Sequence, residues 1–483
     1  MISAAPCRNF LSTGTCDYGS RCRFSHDTAT QRDRPPPGQT PCFHWKKAGA
    51  CPYRDKCACL HRPRAIDSTK RTFEDLCEKI HTFGVVDSTR CDEEIVKSDF
   101  QEIASYDWVA APVPTIGTQV ATVLPDSITQ LTETGNPKKL TPAEMPLTIQ
   151  PDFIAFARKS ETETIMDPYT FRLEALVQAC LRTSPQMSFK GVDIICGLNN
   201  LRKIFDFARG KQKDPFRIDV ELCSGVLMMT RWDEYSKNLA QTSLCRGYGR
   251  GFEEACTTRE EQDVQSTSHH RVFSYSLGGL SLLVQSEVDA CDCRCFEQDS
   301  WEFPTRSSLP PICPAVSGKA TLPQTDLPPQ MHLPDSSTLP LAVVDVGMKH
   351  SSECLVEIKS RDKKNTRMDD IMVQMWFSGR HRLYLGRHLR GTFVSTDAYQ
   401  KDVTSDLAMW QRQNENEIAI FVGLLKHVKQ TVCQVASDGG CVRYALVFQQ
   451  RRSGNGLELW RRERGQDLLK QETLAKMQLC SVA

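Results

Sequence analysis

The first 61 residues contain one spacing of cysteines and a histidine twice, and this repeat constrains their fold more than any other feature. The spacing is C-x8-C-x5-C-x3-H, and its two sets are Cys7, Cys16, Cys22 and His26, then Cys42, Cys51, Cys57 and His61. Three thiolates and an imidazole form a tetrahedral Zn²⁺ site, and segments this short cannot bury a core without the metal. The spacing therefore predicts two modules, residues 1–28 and 40–63, each folded around one structural Zn²⁺ ion.

Both modules resemble the CCCH zinc fingers, a family that mostly binds single-stranded RNA. Aromatic faces for base stacking lie beside cations for phosphate in the residues Phe10, Tyr18, Arg21, Arg23, Phe24, Trp45, Lys46 and Tyr53. The second finger has Cys59 where the first has Phe24, which weakens its stacking surface and offers a competing ligand to Cys57. We expect the fingers to bind single-stranded RNA, and a purely structural or protein-binding module is the alternative.

The finger segment is basic and the rest of the chain is acidic. Residues 1–71 contain 13 Lys and Arg against five Asp and Glu, a net charge of +8, so the remaining 412 residues carry −7. A basic segment on an acidic body indicates that the segment meets a polyanion.

The composition is that of an ordinary soluble globular protein, with 40% hydrophobic and 25% charged residues. No stretch holds the roughly 18 uninterrupted apolar residues of a membrane span. The ligand motif that starts at Cys7 leaves no room for a secretory or transit peptide. We therefore expect a nuclear or cytoplasmic protein with no membrane partner, whose 22 cysteines are metal ligands or buried thiols.

Beyond the fingers, residues 64–96 are predicted to be a connector with a helix around 72–82, and residues 97–483 form the main domain. Within it, residues 296–340 are rich in Pro, Ser and Thr and indicate a surface insertion. Strands are predicted at 220–230, 271–285, 341–346, 354–360, 381–386 and 442–450, and helices at 166–181, 231–244 and 406–430.

Two strand-like segments carry charges that a core tolerates only when they are paired or bind a metal. Glu357 and Lys359 share one face of CLVEIKS (residues 354–360), and Glu287 and Asp289 share one face of LLVQSEVDA. If the two strands are neighbours, the three carboxylates converge with Lys359 alongside. Carboxylates this close raise one another's pKa unless a divalent cation neutralises them, and all-oxygen ligands suit Mg²⁺ or Mn²⁺.

This layout indicates a metal-dependent site that cleaves phosphodiesters, in which Lys359 orients the attacking water or stabilises charge on a phosphate. The alternative is an edge strand with a solvated salt bridge.

Residues 97–455 resemble the DXO family of RNA decapping enzymes and exoribonucleases, whose core is related to PD-(D/E)XK nucleases. The family's E-h-D motif (h, hydrophobic) is similar to residues 287–289, its E-h-K motif to residues 357–359, and its glycine motif ending in Phe-Glu to GRGFE at 249–253. MVQMWFSGRHRLYLGRHLRG resembles the family's glutamine-bearing helix and following strand, with Gln374 at the glutamine position. QEIASYDW resembles the start of the family's domain, and GVDIICGLNNLRKIF its first motif.

The resemblance implies an α+β fold with a mixed-sheet, nuclease-like domain, and a hydrolase that acts on RNA 5′ ends in mRNA quality control. Such an enzyme removes incomplete or noncanonical nucleotide caps or 5′ pyrophosphate, and some relatives also degrade the exposed RNA from its 5′ end. The implied ligands of Mg²⁺ or Mn²⁺ are Glu253, Glu287, Asp289, Glu357 and Ile358. The implied catalytic residues are Glu253, Glu287, Asp289, Glu357, Lys359 and Gln374, with a turn delivering Glu253.

The chain departs from the family at two positions. Cys196 replaces an arginine that contacts RNA phosphate, and Arg250 occupies a usually apolar place; Arg202 and Lys203 lie near Cys196 in sequence. A thiol cannot supply a bidentate cationic contact. The competing hypothesis is therefore a non-catalytic RNA-binding adaptor that partners a separate exoribonuclease.

Two further groups of residues are expected to have no metal or catalytic role. Cys291, Cys293 and Cys295 could bind a metal, but they lack a fourth ligand at usable spacing and are interpreted as loop thiols. His269, His270 and His427 have no partner pattern and are expected at the surface.

Overall fold

The structure is a computed structural model of the chain. It describes residues 3–6, 22, 24–25, 72–73, 75–84, 95–110, 128–133, 137–152, 171–232, 247–259, 266–293, 342–346, 350–365, 367–436, 442–450, 456–463 and 467–479. The chain divides into two units, Met1–Phe73 and Glu74–Ala483. In the smaller unit, the described backbone contains two short parallel strands, β1 (Ser3–Pro6) and β2 (Phe24–Ser25).

The strands of the larger unit are β3 (Leu76–Phe83), β4 (Lys97–Ala110), β5 (Ile128–Glu133), β6 (Lys139–Leu140), β7 (Leu147–Thr148), β8 (Ile194–Gly197), β9 (Phe216–Cys223), β10 (Val226–Trp232), β11 (Thr257–Thr258), β12 (Ser266–Leu277), β13 (Leu280–Val288), β14 (Ala290–Cys291), β15 (Ala342–Val346), β16 (Leu355–Asp362), β17 (Arg382–Leu389), β18 (Thr392–Asp402), β19 (Val442–Phe448) and β20 (Leu457–Arg462). Its helices are α1 (Glu174–Thr183), α2 (Leu198–Ala208), α3 (Gly249–Ala255), α4 (Asp369–Ser378), α5 (Thr404–Gln413), α6 (Glu415–Val435) and α7 (Gln471–Leu479), with a 3₁₀ turn at Ser352–Cys354. Among these helices, none combines the length and apolar character that crossing a membrane requires.

The described strands of the larger unit form two mixed sheets. The larger sheet has the order β15-β5-β4-β12-β13-β8-β10-β9-β19-β20-β3, and the smaller has β11-β6-β14-β16-β17-β18-β7. Parallel pairs such as β13–β8 and β16–β17 lie beside antiparallel pairs such as β12–β13 and β17–β18. The predicted α+β class with a mixed sheet is therefore confirmed.

Three layers of buried side chains hold the larger unit together. The main core lies between the two sheets, and helices α2, α4, α5 and α6 contribute to it. A second core lies on the other face of the larger sheet, with α1 and α7, and a third lies on the other face of the smaller sheet, with α3. On β16, Leu355 faces the main core and Val356 and Ile358 face the third, so strand alternation points Glu357 toward the main core.

Residues 76–83 form strand β3 and not the helix predicted around 72–82. This strand pairs with β20 at one edge of the larger sheet, so the second half of the predicted connector lies in the larger unit. Leu76, Ile80 and Phe83 have helical spacing, which is why the sequence indicated a helix. Pairing with β20 outweighs this local preference.

Two of the predicted strands are β-hairpins. The run 220–230 divides into β9 and β10 at Ser224-Gly225, and the run 271–285 divides into β12 and β13 at Gly278-Gly279. All four turn residues have positive φ, between 49° and 82°. Two-residue turns of this kind join antiparallel strands, and Ser-Gly and Gly-Gly are their sequence signal.

The predicted helix 406–430 is two helices, α5 and α6, which meet at Asn414. The Asn414 side-chain amide donates to the backbone carbonyl of Trp410 at 2.8 Å, a local bond that competes with helix continuation. The predicted helix 166–181 overlaps α1, with its first five residues outside the described residues. The predicted helix 231–244 begins in β10 and otherwise lies outside them. The strands predicted at 341–346, 354–360, 381–386 and 442–450 correspond to β15, β16, β17 and β19.

Candidate active site

The chain passes from one sheet to the other at Asp289. Strand β13 ends at Val288, and β14 pairs with β16 in the smaller sheet, with Ala290 opposite Val356. The assumption that one strand over residues 282–290 neighbours β16 is therefore wrong, because β13 pairs with β12 and β8. The crossing brings Asp289 beside the strand that carries Glu357.

Glu357 is fully buried, and three side chains contact its carboxylate. Lys359 Nζ forms an ion pair with Oε1, to which Gln374 Nε2 also donates a hydrogen bond. Arg380 Nη1 donates to Oε2 at 2.6 Å. Burial acts to raise the pKa of Glu357, but Lys359 and Arg380 outweigh burial and lower the pKa below its usual value, so the carboxylate stays charged.

Asp289 has less cationic support than Glu357. Its Oδ2 accepts a hydrogen bond from the backbone N–H of Ile358 at 2.8 Å and lies 3.4 Å from Lys359 Nζ. Burial raises the pKa of Asp289 to about 7, and repulsion from Glu357 and Glu253 adds to this effect against the attraction of Lys359. Asp289 therefore has less compensation for its buried charge than Glu357 has.

Glu253 lies on the short helix α3, where the sequence had indicated a turn. Phe252 stacks on Phe393, with ring centroids 4.5 Å apart, and so fixes α3 on the smaller sheet. The Glu253 carboxylate forms an ion pair with Lys138 at 2.5 Å. Its charge also acts on Asp289, so the structure brings the glycine motif at 249–253 and the E-h-D motif at 287–289 to one region.

Glu287 is exposed and lies on β13, whereas Asp289 lies beyond the end of that strand, so the predicted shared face is not formed. The residue opposite Glu287 on β12 is His270, which stacks on Tyr106 with ring centroids 5.1 Å apart. Burial raises the pKa of Tyr106, and the charges of Cys180 and Glu287 add to the rise. The Glu287 carboxylate therefore lies on the Tyr106 side of the larger sheet.

A cation approaches the site from α2. Cys196, which the sequence resemblance set at the arginine position of the DXO family, is fully buried in the main core, where its thiol cannot reach a phosphate. Arg202 Nη1 donates to Oε1 of Gln374 at 3.1 Å. Arg250, the second departure from the family, is exposed at the start of α3.

Sequence analysis missed Arg380 and Lys138. Arg380 is 2% exposed, and besides Glu357 it contacts Ser286 Oγ at 2.8 Å and the backbone carbonyl of Glu287, so it links the end of β13 to β16. Both basic residues lie outside helices and strands, where such residues ordinarily face solvent. No sequence pattern therefore marked them.

A buried polar network adjoins the main core. His269 Nδ1 lies 2.5 Å from Asp107 Oδ1, and Arg271 Nε donates to His269 Nε2 at 2.9 Å. Burial, together with the charge of Arg271, lowers the pKa of His269, which keeps it neutral. The expected surface position of His269 is wrong, and His270 and His427 are half-buried.

Most predicted finger residues lie outside the described residues. These are Cys7, Cys16, His26, Cys42, Cys51, Cys57, His61, Phe10, Tyr18, Arg21, Arg23, Trp45, Lys46 and Tyr53. Cys22 is half-buried, and Phe24 begins β2. The predicted insertion 296–340 also lies outside the described residues.

The acidic residues fit a divalent cation by their charge. Burial, together with the charges of Glu357 and Glu253, raises the pKa of Asp289, and a bound divalent cation would favour its charged form. Among the described residues, however, no three of the predicted acidic ligands come within 4.8 Å of one another. Lys359 contacts both Asp289 and Glu357, so an ion would compete with it for their oxygens. The side chain of Ile358 is buried in the third core, so Ile358 can offer only its backbone carbonyl.

A family model with the description "Domain of unknown function (DUF8563)" matches residues 96–455, about three quarters of the chain. The chain belongs to this family. A second family model, "Zinc finger C-x8-C-x5-C-x3-H type (and similar)", matches residues 3–28, the first predicted finger.

Two curated proteins match a short segment of the chain. They are zinc finger matrin-type protein 5 from Bos taurus and from Homo sapiens, each 76% identical over 21 residues. The match covers 4% of this chain and 12% of the length of each relative.

Solved structures of Rai1 are similar to most of the chain. Rai1 from Scheffersomyces stipitis, in complex with (3′-NADP)+ and calcium ion, has a TM-score of 0.50 and 13% identity, and the match covers 83% of this chain and 100% of that chain. Rai1 from S. pombe in complex with 3′-FADP has a TM-score of 0.49 and 15% identity, covering 79% and 99%. Rai1 from Candida albicans in complex with pU5-Mn2+ has a TM-score of 0.49 and 12% identity, covering 83% and 99%. The chain has the fold of Scheffersomyces stipitis Rai1, and its resemblance to the DXO family is confirmed in the fold.

Proposed function

We propose that the larger unit is a metal-dependent hydrolase that acts on RNA 5′ ends. The observation that carries this proposal is the contact of Lys359 with both Asp289 and Glu357 where the chain crosses between the two sheets. Two buried carboxylates that contact the same lysine are suited to metal-assisted attack on a phosphate. The fold shared with Scheffersomyces stipitis Rai1 supports this reading.

The side chains have separate roles in this proposal. Asp289, Glu357 and Glu253 hold Mg²⁺ or Mn²⁺, and the ion supplies Lewis-acid activation of the phosphate and of a water when bound. Lys359 keeps its charge, since Asp289 and Glu357 raise its pKa against the effect of burial, and its ammonium stabilises charge on the phosphate. Gln374 orients the Glu357 carboxylate through its hydrogen bond. The proposed ligand set is completed by the backbone carbonyl of Ile358, whereas Glu287, on the Tyr106 side of the larger sheet, is not part of it.

The proposed substrates are RNAs with incomplete or noncanonical 5′ ends. The Scheffersomyces stipitis Rai1 structure is a complex with (3′-NADP)+ and calcium ion, which supports a site that accepts a nucleotide pyrophosphate and a divalent cation. The zinc fingers would bind the single-stranded part of the same RNA and raise its concentration at the site. The family match at residues 3–28 supports this assignment for the first finger.

The test is a panel of RNAs of one sequence that begin with an unmethylated guanosine cap, a triphosphate or an NAD cap. The full chain is incubated with each RNA and Mn²⁺, and the products are identified by mass spectrometry. We expect 5′-end release from at least one RNA, and at least about 100-fold slower release by Glu357→Gln, since Glu357 holds both the metal and Lys359. Glu221→Gln is the matched control. Glu221 is also a buried carboxylate, but it accepts a hydrogen bond from the backbone N–H of Leu468, which is not part of the candidate active site. Wild-type rates in Glu357→Gln would refute the proposed site.

The adaptor hypothesis is the second candidate, and the fully buried Cys196 thiol at the arginine position favours it. An adaptor would bind the panel RNAs without releasing any 5′ product, and it would stimulate a separate exoribonuclease. It would also keep that stimulation in Glu357→Gln. The panel assay, run for the wild type and Glu357→Gln with and without an added 5′–3′ exoribonuclease, therefore separates the hypotheses.

A further inference from the structure

Three cysteine thiols converge next to the candidate active site. Cys291 is on β14, Cys293 follows it, and Cys354 ends the 3₁₀ turn that leads into β16. Their Sγ atoms all lie within 4.8 Å of one another, and the Cys291 thiol is in hydrogen-bond contact with the other two. All three side chains are buried, with at most 4% exposure.

We infer that Cys291, Cys293 and Cys354 form a binding site for a thiolate-preferring metal ion, and Zn²⁺ is the ion that these ligands suit. Zn–S bonds of about 2.3 Å in tetrahedral geometry place sulfur atoms about 3.8 Å apart. The observed limit of 4.8 Å is therefore within about 1 Å of the spacing that a bound ion requires. Zn²⁺ prefers four ligands, and the described residues supply three; Cys295 lies outside them.

The backbone explains why these thiols meet. Two cysteines separated by one residue point to the same side of an extended chain. The antiparallel pairing of β14 with β16 sets Cys291 opposite Leu355, which places the neighbouring Cys354 beside Asp292. The backbone N–H of Asp292 donates to the carbonyl of Cys354 at 2.8 Å, which fixes this register.

Ordinary packing of cysteine in a core does not account for the cluster. Cysteine packs in cores as a small apolar side chain, and such residues need not face one another. Four other buried cysteines in the described residues, Cys180, Cys196, Cys223 and Cys256, are not part of such a group. A disulfide would use two sulfur atoms and leave the third without a role.

A metal at this position would act on the candidate active site through the backbone. Cys291 lies two residues after Asp289, and Cys354 lies three residues before Glu357. The backbone N–H of Cys291 donates to the carbonyl of Lys138, the partner of Glu253, at 2.7 Å. The ion would thus join the segments that carry the proposed catalytic carboxylates, as a structural site separate from the catalytic one.

The test is the zinc content of the full chain, purified under reducing conditions and measured by elemental mass spectrometry. Because the predicted fingers would contribute zinc to every variant, the decisive quantity is the difference in zinc content between proteins. Cys354→Ala and Cys293→Ala should each contain about one equivalent of zinc less than wild type, whereas Cys180→Ala should contain the wild-type amount. Equal zinc in all four proteins would show that the three thiols bind no metal.

A second measurement avoids variants that fail to fold. Crystals of the wild-type chain grown with zinc, measured at the zinc absorption edge, should show an anomalous peak among the three Sγ atoms. The absence of a peak there, or a disulfide between any two of the three cysteines in the reduced protein, would overturn the assignment.

Discussion

At the scale of single residues, Asp289 and Glu357 lie side by side but differ in their protonation. Burial acts on both carboxyls, yet the pKa of Glu357 is lowered while that of Asp289 is raised to about 7. The difference follows from the cations, because Arg380 and Lys359 both contact Glu357 at short distance, and Lys359 is 3.4 Å from Asp289. Asp289 is therefore the carboxyl of this pair that exchanges a proton near neutral pH.

The first prediction is that Mn²⁺ affinity rises with pH up to about 7 and then levels off. Below that pH, the ion must displace a proton from Asp289, so the affinity should fall by up to about tenfold per pH unit. Isothermal titration with Mn²⁺ between pH 5.5 and 8.5 measures this. Asp289→Asn should lower the affinity and remove the pH dependence, whereas Glu221→Gln should leave both unchanged. A pH-independent affinity in the wild type would contradict the assignment.

The same pKa has a consequence for stability without metal. The folded pKa of about 7 lies above the ordinary value of 3.8, so the folded state binds this proton more tightly than the unfolded state. The contribution of Asp289 to stability is present below about pH 4 and is lost as the pH rises through 7. In metal-free buffer at pH 8, Asp289→Asn should therefore be more stable than wild type by up to about 4 kcal/mol, measured by denaturant unfolding. A less stable variant would contradict the repulsion argued here.

Arg202 is the subject of the next prediction. Its hydrogen bond to Gln374 shows that a cation reaches the site from α2, as the sequence had left open. If it contacts the substrate phosphate, Arg202→Ala loses a charge-assisted interaction of about 1.5–3 kcal/mol, or roughly 10- to 150-fold in single-turnover rate. Arg202→Lys should recover part of the rate.

Cys196→Arg should lower stability without a gain in rate, because the new charge would be buried in the main core. Faster turnover in Cys196→Arg would show instead that the arginine position is accessible.

The sequence predicted side-chain positions within one strand better than contacts between segments. The proximity of the Lys359 and Glu357 side chains followed from strand alternation alone, since both residues lie on β16. Glu287 was misplaced because alternation was extended through Asp289, where the chain leaves one sheet for the other. Arg380 contacts Glu357 and Ser286, and Cys354 meets Cys291 and Cys293, only because segments that are distant in sequence come together. The local sequence does not predict such contacts.

At the scale of elements, the sequence located strands but not where they turn or which strands they pair with. The β12–β13 hairpin was predicted as one strand because its apolar residues continue across Gly278-Gly279. The edge strand β3 has helical spacing and is held by β20, which lies far along the chain. Helix α3 is short, and its position depends on Phe252 packing against the smaller sheet.

That packing gives a prediction for Gly386 on β17. A Cβ added at Gly386 would lie 2.2 Å from Cζ of Phe252, so the ring and helix α3 would have to move. Gly386→Ala should cost about 1–3 kcal/mol of unfolding free energy, and it should reduce activity further because Glu253 moves with α3. Gly249→Ala is the matched control, since a Cβ there would be 3.7 Å from Ser360 Oγ, an ordinary contact. Equal effects of the two substitutions on stability and rate would contradict this role of the glycine.

At the scale of the whole molecule, the chain combines a finger segment of net charge +8 with a remainder of net charge −7. An acidic surface repels RNA at long range, so the basic segment is the part of the chain suited to first contact. The ligand spacing made the first finger, which a family model matches at residues 3–28, predictable from sequence alone, because the metal and not a core determines such a fold. The order of strands in the two sheets was not predictable, because distant segments pair to form them.

The last prediction separates the two units by function. Cys22→Ser removes one of four predicted zinc ligands, so the first finger should lose its zinc and its fold. Arg8, Arg21 and Arg23 then lose their fixed arrangement, and the salt dependence of binding to a long RNA should become shallower by about one unit of slope for each phosphate that the finger no longer neutralises. Turnover of an RNA too short to reach the fingers should stay at the wild-type rate, because the carboxylates of the larger unit are unchanged.

Filter binding at several salt concentrations and single-turnover assays on the two RNAs measure both effects. Cys433→Ser is the control, since Cys433 is an exposed thiol on α6. If Cys22→Ser binds long RNA as tightly as wild type at every salt concentration, the first finger does not serve RNA binding; if it slows the short RNA as well, the units do not act separately.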